Sequence, residues 1–377
     1  MKATSEDAAR GLYWPNADEE LLLRAALLDP PEALEAWRAL PWVWGDTLGR
    51  SAYRMLPLLA TNLQRHGVEA EALAPFLEVR DEVAARNAGL FTAIRGLLGA
   101  LANEGIATMV LKGAALAMAH YRDPGLRHMA DVDVLVPMRQ AEAAVEALGK
   151  AGWNPKYVGV TSASLEVQHA RPFVDADRRN CDLHWHVYWE DCRPGADDEL
   201  WAASVPLDFQ GVPTRMLGPA DQLLHLCVHG SRPVRRPGIQ WAADAFLVIR
   251  AGGVDWSRLV EQATDRNFVL RTRAMLAYLA RALGAPVPAD VLARLEAAPV
   301  ALGQRLEFYA GNHGDGLLGQ LPTYWAKYRR THAGASPLAF ARFLQQSWEM
   351  GSLAEVAGGV LSRARKRLGS VLRAAGR

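Results

Sequence analysis

Apolar positions in the first hundred residues recur at helical spacing. Leu21, Leu22, Leu23, Ala26 and Leu27 recur at helix spacing in a segment that starts near Glu19 and ends at Pro30-Pro31. Ser51 to His66, carrying Tyr53, Leu56, Leu59 and Leu63, predicts a second helix. Residues 84–103, with Leu90, Ile94, Leu97, Leu98 and Leu101, predict a long amphipathic helix that Gly105 breaks. The period changes at Ile106. Ile106 to Leu111 is short, apolar and partly β-branched and predicts a buried strand. A helix from Ala114 to about Tyr121 and a turn at Asp123-Pro124-Gly125 follow. Val132 to Val136 predicts a second strand, and Pro137 opens a helix that stops near Gly152. Glu166 to Val174 and Cys181 to Trp189 predict two strands joined by a polar turn, and Val212 to Met216 is strand-like. Beyond it the pattern is helical over Ala220–Cys227, Trp241–Ala251, Trp256–Arg266, Val269–Leu283 and Pro288–Ala297. A glycine-rich loop is expected at Gly311 to Gly319, with Pro322 interrupting the pattern, and a last helix over about Glu355–Ala375. The expected class is α+β: a mixed-sheet core over 104–217 between helical regions at 1–103 and 218–377.

A chain of 377 residues is long for one ordinary core. Its 50% hydrophobic and 22% charged content is that of a soluble globular protein, and a net charge of +1 supplies no field for coating nucleic acid, so no nucleic-acid partner is expected. Three cysteines, Cys181, Cys192 and Cys227, are too few and too irregular for a disulfide framework or a structural zinc site. With no apolar leader and no run long enough to span a bilayer, a cytoplasmic location without a membrane partner is expected.

Chemistry concentrates in two places. Along a strand, Asp131 and Asp133 point to one side while Val132 and Val134 point to the other. Two carboxylates so close repel unless a cation lies between them, and a divalent metal is the simplest cause. In the strand beginning at Cys181, Asp182, His184 and His186 alternate with apolar neighbours. Were this strand to lie beside the first, three carboxylates would converge, the oxygen-rich setting that Mg²⁺ prefers.

The wording Leu-Lys-Gly-Ala-Ala-Leu from Leu111, Gly-Leu-Arg-His-Met-Ala-Asp-Val-Asp-Val-Leu-Val from Gly125, and Asp-Leu-His-Trp-His from Asp182 resembles the nucleotidyltransferase superfamily that includes DNA polymerase beta and the kanamycin nucleotidyltransferases. It is most similar to a family of bacterial nucleotidyltransferase-like proteins found beside biosynthetic operons. The resemblance is strongest over residues 104–190. It implies a nucleotidyltransferase-type core that moves a nucleotidyl group from a nucleoside triphosphate to an acceptor, which is a small molecule, peptide or protein. It implies two Mg²⁺ ions, with Mn²⁺ as a substitute. Asp131, Asp133 and Asp182 would be catalytic residues and metal ligands, and Asp182 would also accept the acceptor's proton. Gly113 and Ala114 would form the phosphate turn, and Lys112 and Arg127 would contact the triphosphate. His184 would line the site beside Asp182. The pattern departs from the superfamily in having Ala114 where serine or glycine is usual, and in the eighteen residues separating Gly113 from Asp131. A second expectation therefore stands beside the enzyme: a catalytically weak or inactive nucleotide-binding scaffold or sensor. A third is an enzyme that modifies another protein.

Other features carry weaker expectations. His225 and His229 lie four apart on a predicted helix without the glutamate of a zinc-protease motif, so packing or hydrogen bonding is the favoured role. Arg232, Arg235 and Arg236 form a basic loop that would face either solvent or an anionic substrate. Asp244 would either orient one of these groups or cap a surface. The C-terminal basic cluster reads as a solvated helix face, and most tryptophans as packing.

Overall fold

A seven-stranded mixed sheet divides the apolar side chains into two large cores. The computed structural model describes residues 14–40, 50–156, 165, 167–232, 238–313, 317–332 and 336–362. The strands are β1 (Met109–Leu111), β2 (Asp131–Leu135), β3 (Asn154–Pro155), β4 (Ala170–Val174), β5 (Asn180–His184), β6 (Val205–Phe209) and β7 (Val212–Met216), in the spatial order β3-β4-β5-β2-β1-β7-β6. β2 runs parallel to β5 and antiparallel to β1, and β1 runs parallel to β7. Alternation fixes the faces. Val132, Val134, Cys181 and Leu183 enter one core with Ile94, Leu98 and Leu148, whereas Met109, Leu111 and Leu135 enter the other. A slip of one residue would expose two valines, each worth about 1.5–3 kcal/mol buried, and bury the carboxylates between them.

Helices fill both sides. The N-terminal region holds α1 (Ala17–Leu27), α2 (Glu32–Ala39), α3 (Arg50–Tyr53), α4 (Leu56–Arg65) and α5 (Ala70–Asn103). The Asn16 side chain and Glu19 cap α1 reciprocally. Next come α6 (Lys112–Leu116), which runs into a π-turn at Ala117–Tyr121, then α7 (Ala141–Lys150) and α8 (Asp198–Ala202). The C-terminal set is α9 (Pro219–Gly230), α10 (Gln240–Ala251), α11 (Trp256–Asp265), α12 (Val269–Leu283), α13 (Ala289–Ala297), α14 (Leu302–His313), α15 (Leu317–Thr331) and α16 (Pro337–Ser347). N- and C-terminal helices share one core: Arg24 donates to the Ala282 carbonyl, and Trp14 packs on Trp241 and Tyr278.

Several boundaries differ from the sequence reading. The predicted 51–66 helix is two helices, α3 and α4, and the 84–103 helix extends back to Ala70 with Pro75 in its second turn, where the bond to the Glu71 carbonyl is missing. The strand expected over Cys181–Trp189 stops at His184, because the amides of Trp185 and His186 both donate to the His169 carbonyl and the alternation ends there. The strand expected from Glu166 begins at Ala170, with Leu165 and Val167 helical and Glu166 outside the described residues. The expected Gly311–Gly319 loop is instead occupied by the end of α14 and the start of α15, with Pro322 inside α15. Edge strands β3 and β6 are not among the strands expected from the sequence. The last helix is seen over 353–362, and the basic cluster from Arg363 onward, like Arg235, Arg236, Trp42 and Trp44, lies outside the described residues.

Candidate active site

The parallel pairing of β2 with β5 sets Asp133 directly opposite Asp182 and Asp131 opposite Asn180. All three carboxylates line one cavity of about 500 Å³ between the sheet face and helices α9 and α10. β1 ends at Leu111, which pairs with Asp133, and the chain turns at once. Lys112 has a φ of 47°, in the left-handed region that disfavours side chains by roughly 1–2 kcal/mol. From that turn its Nζ donates to Asp133 Oδ1 at 2.5 Å, and His184 Nε2 lies 2.9 Å from the same oxygen.

The charges are unevenly settled. Burial alone would raise the Asp133 pKa, but Lys112 and His184 outweigh it and hold that carboxyl well below the usual range. Among the described residues Asp182 has no such hydrogen-bonded partner. Burial, then the neighbouring Asp133 and Asp131, push it up to about 7. Asp131 is raised for the same reasons, burial first. One ligand atom each from Asp133, Asp182 and His184 lies within 4.8 Å of the others, a group able to hold a metal ion. Crowded carboxylates, two of which have no ion-paired cation among the described residues, are the donor set a hard divalent ion relieves. The residues fit such an ion, and Lys112 takes the place of one positive charge.

The phosphate-turn residues divide. Gly113 is needed as glycine because a Cβ there would run into Arg127 Nη1. Ala114 is fully buried in the core with Val110 and Val132, so its side chain does not line the cavity. Arg127 is largely committed: its Nε and Nη2 donate to Asp244 at 2.8 and 2.6 Å, and Tyr121 donates to the same carboxylate at 2.7 Å. Asp244 therefore orients Arg127 and leaves Nη1, beside Gly113, as the end not held by it.

His186 leaves the site. With β5 ended at His184, its Nδ1 meets Asp197 at 2.6 Å. His225 and His229 do face the cavity, together with His169, Gln240 and Arg232. Both nitrogens of buried His225 lack a hydrogen-bond partner among the described residues. Burial, then Lys112 and Arg232, hold its pKa well below the ordinary histidine value. The i,i+4 spacing was the visible signal for this pair. Nothing in the sequence pointed to His169 or Gln240, which reach the cavity only through tertiary packing.

The chain belongs to a family described as uncharacterised nucleotidyltransferases, whose model matches residues 51–284, more than half of the sequence. That span takes in the whole sheet and helices α9 to α12. Among solved structures, the chain is similar to the antibiotic-resistance factor ANT(2'')-Ia, with 14% identity and a TM-score of 0.35 over 51% of this chain and 96% of that one. It is also similar to an antigenic nucleotidyltransferase-like protein from Paracoccidioides brasiliensis, with 17% identity and a TM-score of 0.36 over 56% of this chain and 94% of that one. The family match, not these likenesses, places the chain. No curated protein matches it. No helix among the described residues is long and apolar enough to cross a membrane.

Proposed function

We propose that the protein is a metal-dependent nucleotidyltransferase that moves the nucleotidyl group of a nucleoside triphosphate onto an acceptor hydroxyl. The observation that carries this reading is the Asp133–Asp182 register on the wall of a cavity otherwise rich in cations. Asp131, Asp133 and Asp182 would hold the divalent metal, Mg²⁺ or Mn²⁺, and His184 would fix the Asp133 carboxylate. The bound metal supplies positive charge to the triphosphate and its leaving pyrophosphate. The protein positions the rest. Arg127, clamped by Asp244, and Lys112 offer donors to phosphate oxygens. In the transfer an acceptor oxygen bonds to the α-phosphorus, the bond from that phosphorus to the bridging oxygen breaks, and pyrophosphate leaves. Asp182, unpaired beside the others, takes the acceptor's proton.

Calorimetry on the full chain with each nucleoside triphosphate, with and without Mg²⁺, tests the reading. Binding that needs the metal and weakens about tenfold or more in Asp133→Asn and Asp182→Asn is expected. Metal-independent binding of equal strength in both variants would overturn it.

A second reading, a nucleotide-binding scaffold or sensor of the same fold, is favoured by one observation. Lys112 already neutralises Asp133, so the site is partly balanced without a metal. Metal-dependent nucleotide binding with no pyrophosphate released in cell extract would select it. Transfer of label from the α-phosphate onto a macromolecule would instead identify a protein or peptide acceptor.

A further inference from the structure

Two of the arginines that line the cavity are each held by a buried carboxylate. Arg127 is clamped by Asp244. Arg232, just past the end of α9, donates from Nη2 to Glu190 Oε2 at 3.3 Å. Glu190 is fully buried, and Arg271 takes its other oxygen at the shorter distance of 2.6 Å. Arg232 therefore shares its carboxylate with a closer partner, and among the described residues it pairs with no other carboxylate. Its side chain keeps 16% of its surface and forms part of the cavity wall. One carboxylate between two guanidiniums leaves the outer one incompletely balanced, and an oxyanion is the ligand that a guanidinium so placed binds best.

The two arginines act on different parts of the wall. Arg127 lies against Gly113, and its charge is felt at Asp131 and His128. The charge of Arg232 is felt instead at His169, His225 and His229. Burial first, and nearby positive charge after it, hold all three imidazoles well below the ordinary histidine value. His169 meets the His184 ring at 5.1 Å between centres, and His184 follows Asp182 by two positions on β5. Strand alternation puts those two side chains on one face. Arg127 thus serves the glycine turn, whereas Arg232 serves the part of the cavity that reaches β5 and Asp182.

We infer that Arg232 binds an anionic group of the acceptor, so that the cavity takes two anions at once. The triphosphate lies at Gly113 and Arg127. The acceptor carries a carboxylate or phosphate that meets Arg232, and a hydroxyl that lies toward Asp182. Glu190 is then a positioning residue, which fixes the guanidinium from behind as Asp244 fixes that of Arg127. A neutral acceptor would leave Arg232 without a ligand and is selected against. The inference rests on the nucleotidyltransferase reading for the word acceptor, but the anion site at Arg232 does not.

Calorimetric titration of the full chain with glycerol 3-phosphate, glycerate and neutral glycerol tests it, each alone and with a non-hydrolysable nucleoside triphosphate and Mg²⁺ present. One or both anions should bind, the tighter one identifying phosphate or carboxylate. Glycerol should bind about tenfold more weakly. Arg232→Gln leaves Glu190 paired with Arg271. It should weaken the anions about tenfold and change metal–nucleotide affinity less than about twofold. Arg232→Lys keeps the charge without the planar fork and should recover part of the loss. Should Arg232→Gln fail to fold, Arg232→Lys decides, by weakening the anions severalfold and leaving glycerol unchanged. Absence of anion binding, anion binding indifferent to these substitutions, or displacement of the probes by the triphosphate would overturn the assignment. A tenfold loss of nucleotide affinity in Arg232→Gln would also overturn it, by placing Arg232 on the triphosphate. Anion binding that needs Arg232 where nucleotide fails to bind would sink the transferase reading and leave the anion site standing.

Discussion

Lys112 sets the charge balance of the site. Its ammonium is the cation nearest Asp133, and its left-handed backbone holds it there. Replacing it with methionine keeps the stem and removes the charge, leaving Asp133 with His184 alone and strengthening the repulsion among Asp131, Asp133 and Asp182. Lys112→Met should lower stability by about 1–3 kcal/mol in metal-free buffer. Added Mg²⁺ should then raise the melting temperature more in the variant than in the natural chain, because ion and ammonium compete for one place. Equal shifts in thermal denaturation would show that the ion does not bind there. Gly113 gives a second test. A methyl group at this position meets a guanidinium that cannot swing aside while Asp244 holds two of its nitrogens. Gly113→Ala should cost about 1–3 kcal/mol by urea denaturation and should also weaken nucleotide binding. These residues were legible through the family resemblance of the Leu111–Leu116 wording, which implied a phosphate turn there. The bond between Arg127 and Asp244 was not, because 117 positions separate them and no periodicity connects such distant partners.

Among the elements, strands buried on both faces declared themselves and edge strands did not. β1 and β2 are short apolar runs whose every alternate position enters a core, and alternation alone put Asp131, Asp133 and Asp182 on their faces. β3 exposes both of its residues, so nothing in its hydropathy sets it apart from a loop, whereas β6 alternates Val205, Leu207 and Phe209 with exposed Pro206 and Asp208, a period-two signal interrupted by a proline. β5 was read too long because Trp185 to Trp189 keeps an apolar rhythm that belongs to packing, and His186 was drawn toward the site with it. The helix expected to end near Tyr121 does so, but its π-helical last turn and the bond by which Tyr121 fixes Asp244 were invisible. Helix α9 is the element whose placement most affects the cavity, since His225 and His229 project from it. It approaches α10 at Gly230, where an added Cβ would lie 2.7 Å from Trp241 Cγ. Gly230→Ala should therefore push the two helices apart, at a cost of about 1–3 kcal/mol, and weaken nucleotide binding while leaving the other face of the sheet intact. Hydrogen exchange would locate the loosening in α9 and α10. Protection lost equally across α7 and β2 would contradict it.

Across the whole molecule, a chain of buried ion pairs ties the cavity to the C-terminal helices. Glu190 is fully buried and accepts from Arg271 at 2.6 Å and from the cavity-lining Arg232 at 3.3 Å. Arg271 also donates to Glu307 on α14, and Glu307 accepts from Arg330 on α15 at 2.7 Å. Burial by itself would raise the Glu190 pKa, but Arg232 and Arg271 outweigh it and carry it well below the ordinary value of 4.5. A carboxyl with a depressed folded-state pKa adds stability that is present in full above its unfolded value. That stability is lost as the pH falls below about 4.5 toward the folded value. The natural chain should hence lose stability on acidification through this window, with α14 and α15 among the first parts released. Glu190→Gln removes the titrating group and the carboxylate that Arg232 and Arg271 share, which breaks a buried ion-pair network at a cost of about 3–5 kcal/mol. The variant should be less stable at neutral pH and should show a flatter dependence on acid below about pH 4.5. Melting temperatures measured from pH 3 to pH 7 (about 0.5-unit steps suffice) compare the two slopes. Parallel slopes would mean that Glu190 is not the group linking acid to the docking of the C-terminal helices.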